Sequence, residues 1–316
     1  MNADPTMRAV TQSSLGTPDV LTVVDVPRPE PRPNEILVRV RAASLNPTDW
    51  KHRATGGFLG EPPFVLGWDL SGIVEATGVG VWRFRPGDEV FGMLSYPFGH
   101  GAHAEYVAAP ARVFTTKPAS LDHVQAAALP LVSLTAWQAL VENAGLEAGQ
   151  RVLIHAGAGG VGHVAIQIAK ARGAYVLATA SAEKHEFLRS LGADEAIDYR
   201  TVDFAEAAGE VDVVLDTIGG DYSTRSLRTL RPGGIVVSIL PIGSDTFYRE
   251  AAELGVRAVR MLVDSSRSTM DSIAALAAAG ELRARIAETF PLAQAAEAHR
   301  LGDTNRTTGK LVLTMS

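Results

Sequence analysis

Arg151-Val-Leu-Ile-His-Ala-Gly-Ala-Gly-Gly-Val-Gly162 is the stretch whose reading decides the fold. It contains Gly157-x-Gly159-x-x-Gly162, and the context gives that spacing its weight. A β-branched, apolar run (152–156) leads in, and Val161, Val164, Ala165, Ile168 and Ala169 lead out at helical spacing. A second apolar run, 175–180, follows at the distance of a strand–helix–strand unit. That order predicts the strand, tight turn and helix of a dinucleotide-binding fold. Gly157 is read as allowing the turn, Gly159 as letting the backbone approach a pyrophosphate, and Gly162 as letting the helix pack closely on the strand. The helix opens at Gly160 and Val161. Its unpaired N–H groups and positive dipole end suit phosphate there.

The next signal lies at the tip of the second strand, which ends Thr179-Ala180-Ser181, with Lys184 one helical turn later. Sites that prefer NAD carry an acidic residue about 20 residues after the glycines to bind the ribose 2′-hydroxyl. Here a hydroxyl and an ammonium stand instead, and donors with positive charge suit a 2′-phosphate. NADPH is therefore the expected cofactor. Glu183 is expected to point to solvent from the first helical turn, where a carboxylate suits the dipole. Taken singly, Ser181 could be a helix cap and Lys184 a solvated lysine.

With 316 residues the chain can bury two cores, and 46% hydrophobic with 20% charged residues is ordinary for a globular protein. A net charge of −6, with no basic run interleaved with aromatics, gives no nucleic-acid surface. The absence of cysteine excludes disulfides, thiolate zinc sites and cysteine nucleophiles together. The opening Met1-Asn-Ala-Asp-Pro-Thr-Met7 lacks the basic and apolar regions of a signal peptide. The longest apolar stretch, 126–137, is broken by Pro130, Ser133 and Thr135 and is too short to span a bilayer. A cytoplasmic protein without membrane or nucleic-acid partners is expected.

Residues up to about 130 read as β-rich, with short alternating runs at 21–26, 36–42, 71–76, 89–93 and 104–109 between Gly- and Pro-rich turns. Strands and helices then alternate: strands near 152, 175, 196–199, 211–216, 235–240 and 256–263, and helices at 134–143, from 161, and at 183–191. This predicts an α/β fold with a Rossmann-type, doubly wound parallel sheet. An Ala-rich helix (270–279), a short helix (292–299) and a last strand (310–314) form a tail that reads as separate from the dinucleotide fold.

Gly67-Trp-Asp-Leu-Ser-Gly72, Arg85-Pro-Gly-Asp-Glu-Val90, the glycine motif and Thr308-Gly-Lys-Leu-Val312 follow one another in the order of the medium-chain dehydrogenase/reductases. Across nearly its whole length the chain resembles the zinc-independent quinone oxidoreductase and enone reductase branch. The resemblance implies a GroES-like catalytic domain, 1–132 with 266–316, built from both chain ends around an inserted dinucleotide domain, 133–265. A homodimer is expected.

In zinc-dependent members a Cys ligand falls in the segment here reading Ser44-Leu-Asn46-Pro-Thr-Asp49, and a His-Glu pair falls at Trp68-Asp69. A catalytic zinc takes three protein ligands, which Asp69 alone does not supply. His100-x-x-His103 lies in a Gly-rich segment without a close third ligand. No metal is expected. Without a Lewis acid, alkoxide stabilisation is lost, whereas hydride donation to a quinone or an α,β-unsaturated carbonyl spreads the arriving charge onto oxygen. Such a site needs the two reactants positioned and a donor for that oxygen.

The resemblance implies that Asn46-Pro-Thr-Asp49-Trp-Lys51 supplies it, with Lys51 donating to the developing enolate and to the nicotinamide ribose, and with Asn46 and Asp49 orienting Lys51 or donating from the amide. Read from residues alone, Asn46-Pro47 is a turn, Asp49 a helix cap and Lys51 a solvated lysine. Resemblance and topology add Thr135, Tyr199 beside Ser181 and Lys184, Ile218, Leu240, Ile242 and Lys310 as cofactor contacts. Asp216 reads as a structural strand-end residue. Trp50, Phe58, Trp68, Tyr96 and Phe98 are expected to line an acceptor pocket. The function expected is metal-free reduction of quinones or enones by NADPH. The alternative is an NADPH-binding redox sensor or RNA-binding accessory protein with little turnover.

Overall fold

A computed structural model describes residues 5–240 and 245–315. The chain divides into two compact units, Met1–Leu131 with Asp264–Ser316, and Val132–Val263.

Val132–Val263 is built on six parallel strands in the order Glu195–Asp198, Tyr175–Ala180, Arg151–Ile154, Val211–Asp216, Leu230–Ser238 and Arg257–Arg260. This is the doubly wound sheet that the sequence predicts. Chain order runs outward in both directions from the pair Arg151–Ile154 and Val211–Asp216, so the switch point lies between their carboxyl ends. Strands covered on both faces need consecutive apolar side chains, and Val152, Leu153 and Ile154 are all 0% exposed. Helix Gly160–Ala171 buries Val164, Ala165, Ile168 and Ala169 on one stripe. The helix expected at 134–143 starts earlier, as Pro130–Trp137, and continues as a π-helical turn, Gln138–Asn143.

Met1–Leu131 with Asp264–Ser316 holds a seven-stranded sheet whose main path runs Ile286–Pro291, Lys310–Thr314, Glu35–Leu45, Asp69–Thr77, Glu89–Met93 and Phe114–Thr116. Tyr106–Pro110 pairs with Glu35–Leu45 off that path. A smaller sheet joins Leu21–Pro27, Thr6–Gln12 and Phe64–Val65. The closing strand runs antiparallel to Glu35–Leu45 with Leu311 opposite Leu45, which sets Lys310 beside Asn46 across most of the chain's length. Glu35–Leu45 then passes directly into helix Pro47–Thr55.

Candidate functional site

The glycine turn of Val132–Val263 is tighter than its spacing shows. Its left-handed residue is Ala156, at φ 47°, rather than Gly157. The Ala156 and Gly157 N–H groups donate to Thr179 Oγ1 at 3.1 Å and to Thr179 O at 2.8 Å, which lashes the turn to the second strand. Gly157 is required by space: a Cβ there would lie 2.8 Å from Ala178 Cβ. A Cβ at Gly162 would fall 2.2 Å from Ala156 O, so only glycine lets this helix start so close to the strand. Gly159 caps the helix without a side-chain acceptor, and a Cβ on it would meet only Ala156 of its own turn. The N–H groups of Gly160, Val161 and Gly162 open this helix, and the dipole end they form suits a phosphate group.

At the tip of the second strand Ser181 is buried, Lys184 half-buried and Tyr199 exposed. Glu183 is exposed, as expected, and its carboxylate is at the same time engaged by two donors. Ser181 Oγ donates to Glu183 Oε1 at 2.6 Å, and Arg200 donates to the same oxygen at 3.4 Å. These contacts, the Ser181 hydroxyl foremost, hold the Glu183 carboxyl below the usual range. The Arg200 guanidinium lies 5.8 Å from the Tyr199 ring centroid. Sequence reasoning stopped at Tyr199 and missed Arg200, although the two are adjacent in the chain.

Where the fourth and fifth strands end, Asp216 accepts the N–H groups of Ile218 and Gly219 at 2.9 and 2.8 Å and the hydroxyls of Ser223 and Ser238 at 2.5 and 3.1 Å. Four donors leave this carboxylate a structural strand-end residue. Ile218 is partly exposed, and a Cβ on neighbouring Gly219 would meet Leu240 at 3.3 Å, which places both residues at one rim of the sheet. Thr135 is buried. Ile242 lies outside the described residues.

The other unit gathers Ser44, Asn46, Asp49, Asp69 and Lys310 into one buried polar cluster. Asp69 is its hub. Its Oδ2 accepts from Ser44 Oγ and Asn46 Nδ2, each at 2.8 Å, its Oδ1 accepts from Leu131 N at 2.8 Å, and Lys310 Nζ stands 3.8 Å away. Lys310 Nζ donates to Leu45 O at 2.7 Å and to Asn46 Oδ1. Burial lowers the Lys310 pKa, and the Asp69 and Asp49 carboxylates oppose that shift. The ammonium that Asn46 meets is therefore Lys310. Lys51 is exposed on helix Pro47–Thr55.

Asp49 is sealed in the same cluster, where its Oδ2 accepts the Asn46 backbone N–H at 2.7 Å as half of a capping box. Its Oδ1 has no hydrogen-bond partner among the described residues and lies 4.0 Å from His103 Nε2. Burial pushes Asp49 up to about 7, Asp69 adds to the rise, and the Asn46 N–H and Lys310 oppose it. Burial likewise drops His103 to about 4. A Cβ at Gly67 would lie 2.5 Å from the His103 ring, and its φ of 98° also favours glycine.

The expected aromatic lining does not form a single group. Trp68, Tyr96 and Phe58 cluster, with centroids 5.3 Å apart for Trp68–Tyr96 and 6.3 Å for Phe58–Tyr96, and His52 joins Trp68 at 5.2 Å. Thr48 Oγ1 lies 3.0 Å from Tyr96 Oη and 3.1 Å from His52 Nδ1. Trp68 is core, donating from Nε1 to Pro97 O at 3.1 Å. Trp50 instead packs against Gly302, and Phe98 is exposed. His100 Nδ1 lies 2.7 Å from Val65 O. Among the described residues no three His, Cys, Asp or Glu side chains are placed to hold one metal ion, and no helix is long and apolar enough to cross a membrane.

Comparison with known proteins adds to this geometry. Residues 32–119 match the alcohol dehydrogenase GroES-like domain family, and residues 191–313 match the zinc-binding dehydrogenase family. The chain is 34% identical to the mitochondrial NAD(P)H oxidoreductase RTN4IP1 of Mus musculus, over 89% of this chain and 82% of that protein. It is also 34% identical to the chloroplastic NADPH-dependent alkenal/one oxidoreductase of Arabidopsis thaliana, over 97% of this chain and 79% of that one. The solved quinone oxidoreductase of Coxiella burnetii superposes with a TM-score of 0.93 at 39% identity, covering 99% of this chain and 100% of its own.

Proposed function

The chain belongs to the medium-chain dehydrogenase/reductase family, among its quinone oxidoreductases and enone reductases, and from that premise we propose that it uses NADPH to reduce quinones or α,β-unsaturated carbonyls without a metal. The observation that carries this reading is the state of Asp69. It stands where zinc-dependent members place an acidic residue, and its oxygens are already occupied by Ser44, Asn46 and Leu131, with Lys310 beside them. A carboxylate so engaged is a structural hub, which supports chemistry that relies on positioning and hydrogen bonding.

When bound, NADPH supplies the hydride from its nicotinamide ring. The chain's own residues do the rest. Gly160, Val161 and Gly162 hold the pyrophosphate by backbone N–H groups, and Gly159 lets the backbone approach it. Ser181, Lys184 and Tyr199 receive the 2′-phosphate, and Thr135, Ile218 and Leu240 border the nicotinamide half. Lys51 donates to the acceptor's oxygen as charge arrives there. Buried and hydrogen-bonded as they are, Asn46, Asp49 and Lys310 position the start of helix Pro47–Thr55 and so act through it. In this reading Asn46 and Asp49, expected to orient Lys51 or to donate from the amide, reach Lys51 only through that helix. Tyr96 and Phe58 offer the planar surface against which an acceptor ring packs. A cytoplasmic homodimer belongs to the same proposal.

The test is NADPH consumption with phenanthrenequinone and with a simple enone, each against NADH. Turnover of either acceptor with NADPH supports the reading. Tight NADPH binding with no turnover of any acceptor would make the chain a nicotinamide-binding regulatory protein instead.

A further inference from the structure

Glu183 is the one acidic group at the tip of the second strand that the cofactor reading leaves without a role. Two donors converge on its Oε1, the Ser181 hydroxyl at 2.6 Å and the Arg200 guanidinium at 3.4 Å. An oxyanion held by a serine hydroxyl and a guanidinium has the partners that a phosphate oxygen would take. Arg200 is held at this corner by its backbone, whose N–H donates to Asp198 Oδ1 at 3.1 Å, and its side chain lies beside the Tyr199 ring. Glu183 and Arg200 are both more than half exposed, at 59% and 58% of the side chain, so each can swing without disturbing the core.

We propose that Glu183 is an internal stand-in for the 2′-phosphate of NADPH, and that Arg200 is a further direct phosphate ligand which exchanges the carboxylate for the phosphate on binding. This inference rests on the NADPH reading above. Glu183 then opposes NADPH twice, by holding donors the phosphate needs and by setting a negative charge beside it. The opposition falls away with NADH, whose ribose 2′-hydroxyl a carboxylate accepts readily. Glu183 and Arg200 thereby pull cofactor preference in opposite directions.

The test measures the affinity of the purified full chain for 2′,5′-ADP and 5′-AMP by isothermal titration calorimetry, so it needs no acceptor. Glu183→Gln is expected to tighten 2′,5′-ADP by about threefold, the scale of one exposed charge pair, with 5′-AMP not tightened. Arg200→Met is expected to weaken 2′,5′-ADP by about tenfold, the scale of a hydrogen bond to a charged group, again sparing 5′-AMP. The double variant decides between direct and indirect action. If Arg200 touches the phosphate, Arg200→Met still weakens 2′,5′-ADP in the Glu183→Gln background. If it only restrains Glu183, its effect vanishes there, and the proposal is overturned. A wild-type chain that favours 2′,5′-ADP through Lys184, yet is indifferent to Glu183→Gln and Arg200→Met, would also overturn it and leave the NADPH reading standing. Equal affinity for both nucleotides, unmoved by Lys184→Ala, would remove the NADPH reading itself.

Discussion

Asp49→Asn should make the protein more stable at neutral pH, and by an amount that grows with pH. Asp49 is fully buried, and its raised pKa of about 7 compares with 3.8 for an unperturbed aspartate. Between those values the native state keeps a proton that the unfolded chain has released. The native state then binds more protons, so this group's contribution to stability falls as pH rises through the window. Each pH unit costs about 1.4 kcal/mol, and the window spans about three units, which gives about 4 kcal/mol by pH 7. Asparagine cannot ionise, keeps an acceptor for the Asn46 N–H, and can aim its amide at the unpartnered His103 Nε2 4.0 Å from the present carboxylate oxygen. The two proteins should therefore have similar stability near pH 4 and diverge above it.

His103, lowered to about 4 by burial, acts with the opposite sign, because it is neutral in the native state while charged when unfolded. The absolute profile of either protein mixes both effects, and the difference between them isolates Asp49. The measurement is urea unfolding at a series of pH values from about 4 to about 8, followed by tryptophan fluorescence. Trp50, Trp68 and Trp82 share a unit with Asp49. A rival physical outcome exists. Asp49 is the third residue of helix Pro47–Thr55, where a charged carboxylate improves a capping box. If that effect outweighs burial, Asp49→Asn will be less stable than wild type at pH 7 by about 1–2 kcal/mol. Such a result, or parallel curves, would refute the claim that native Asp49 holds its proton.

Lys184→Ala should raise the KM for NADPH and leave that for NADH nearly unchanged, and equal effects on both would remove Lys184 from the 2′-phosphate. Lys51→Ala should lower kcat by roughly 10- to 1,000-fold, the scale for losing one oxyanion donor, with a larger loss for enones than for quinones; a kcat within about twofold of wild type would make it a solvated surface lysine. Gly162→Ala would place a methyl 2.2 Å from Ala156 O and should abolish 2′,5′-ADP binding while depressing Tm, whereas unimpaired binding would show that the turn can yield. Activity should survive exhaustive chelation, and a stoichiometric metal lost together with activity would overturn the metal-free proposal.

The parallel sheet was legible because its central strands are buried on both faces, so 152–154 and 213–215 read as unbroken apolar runs. The helices between the later strands carried no such signal. Asp221–Leu227 buries Ser223, Ser226 and Leu227, so hydroxyls stand where an apolar stripe would have announced it. The short strand Phe64–Val65 is defined by its partner at Thr11 and Gln12, far away in sequence. The same limit governs the candidate site. Asn46 and Asp49 were visible as a pair because they lie three residues apart at a helix start, and that local spacing drew Lys51 in with them. The lysine that Asn46 meets arrives through the antiparallel pairing of Leu311 with Leu45, a register that no local pattern encodes. Arg200 was missed for a different reason. It is adjacent to Tyr199 and should have been weighed, but an exposed arginine becomes informative only when Glu183 is seen turned toward it. A carboxylate at the tip of the second strand is thus not by itself a vote for NADH. Its meaning depends on which donors it already holds, and here those donors are ones a phosphate would need.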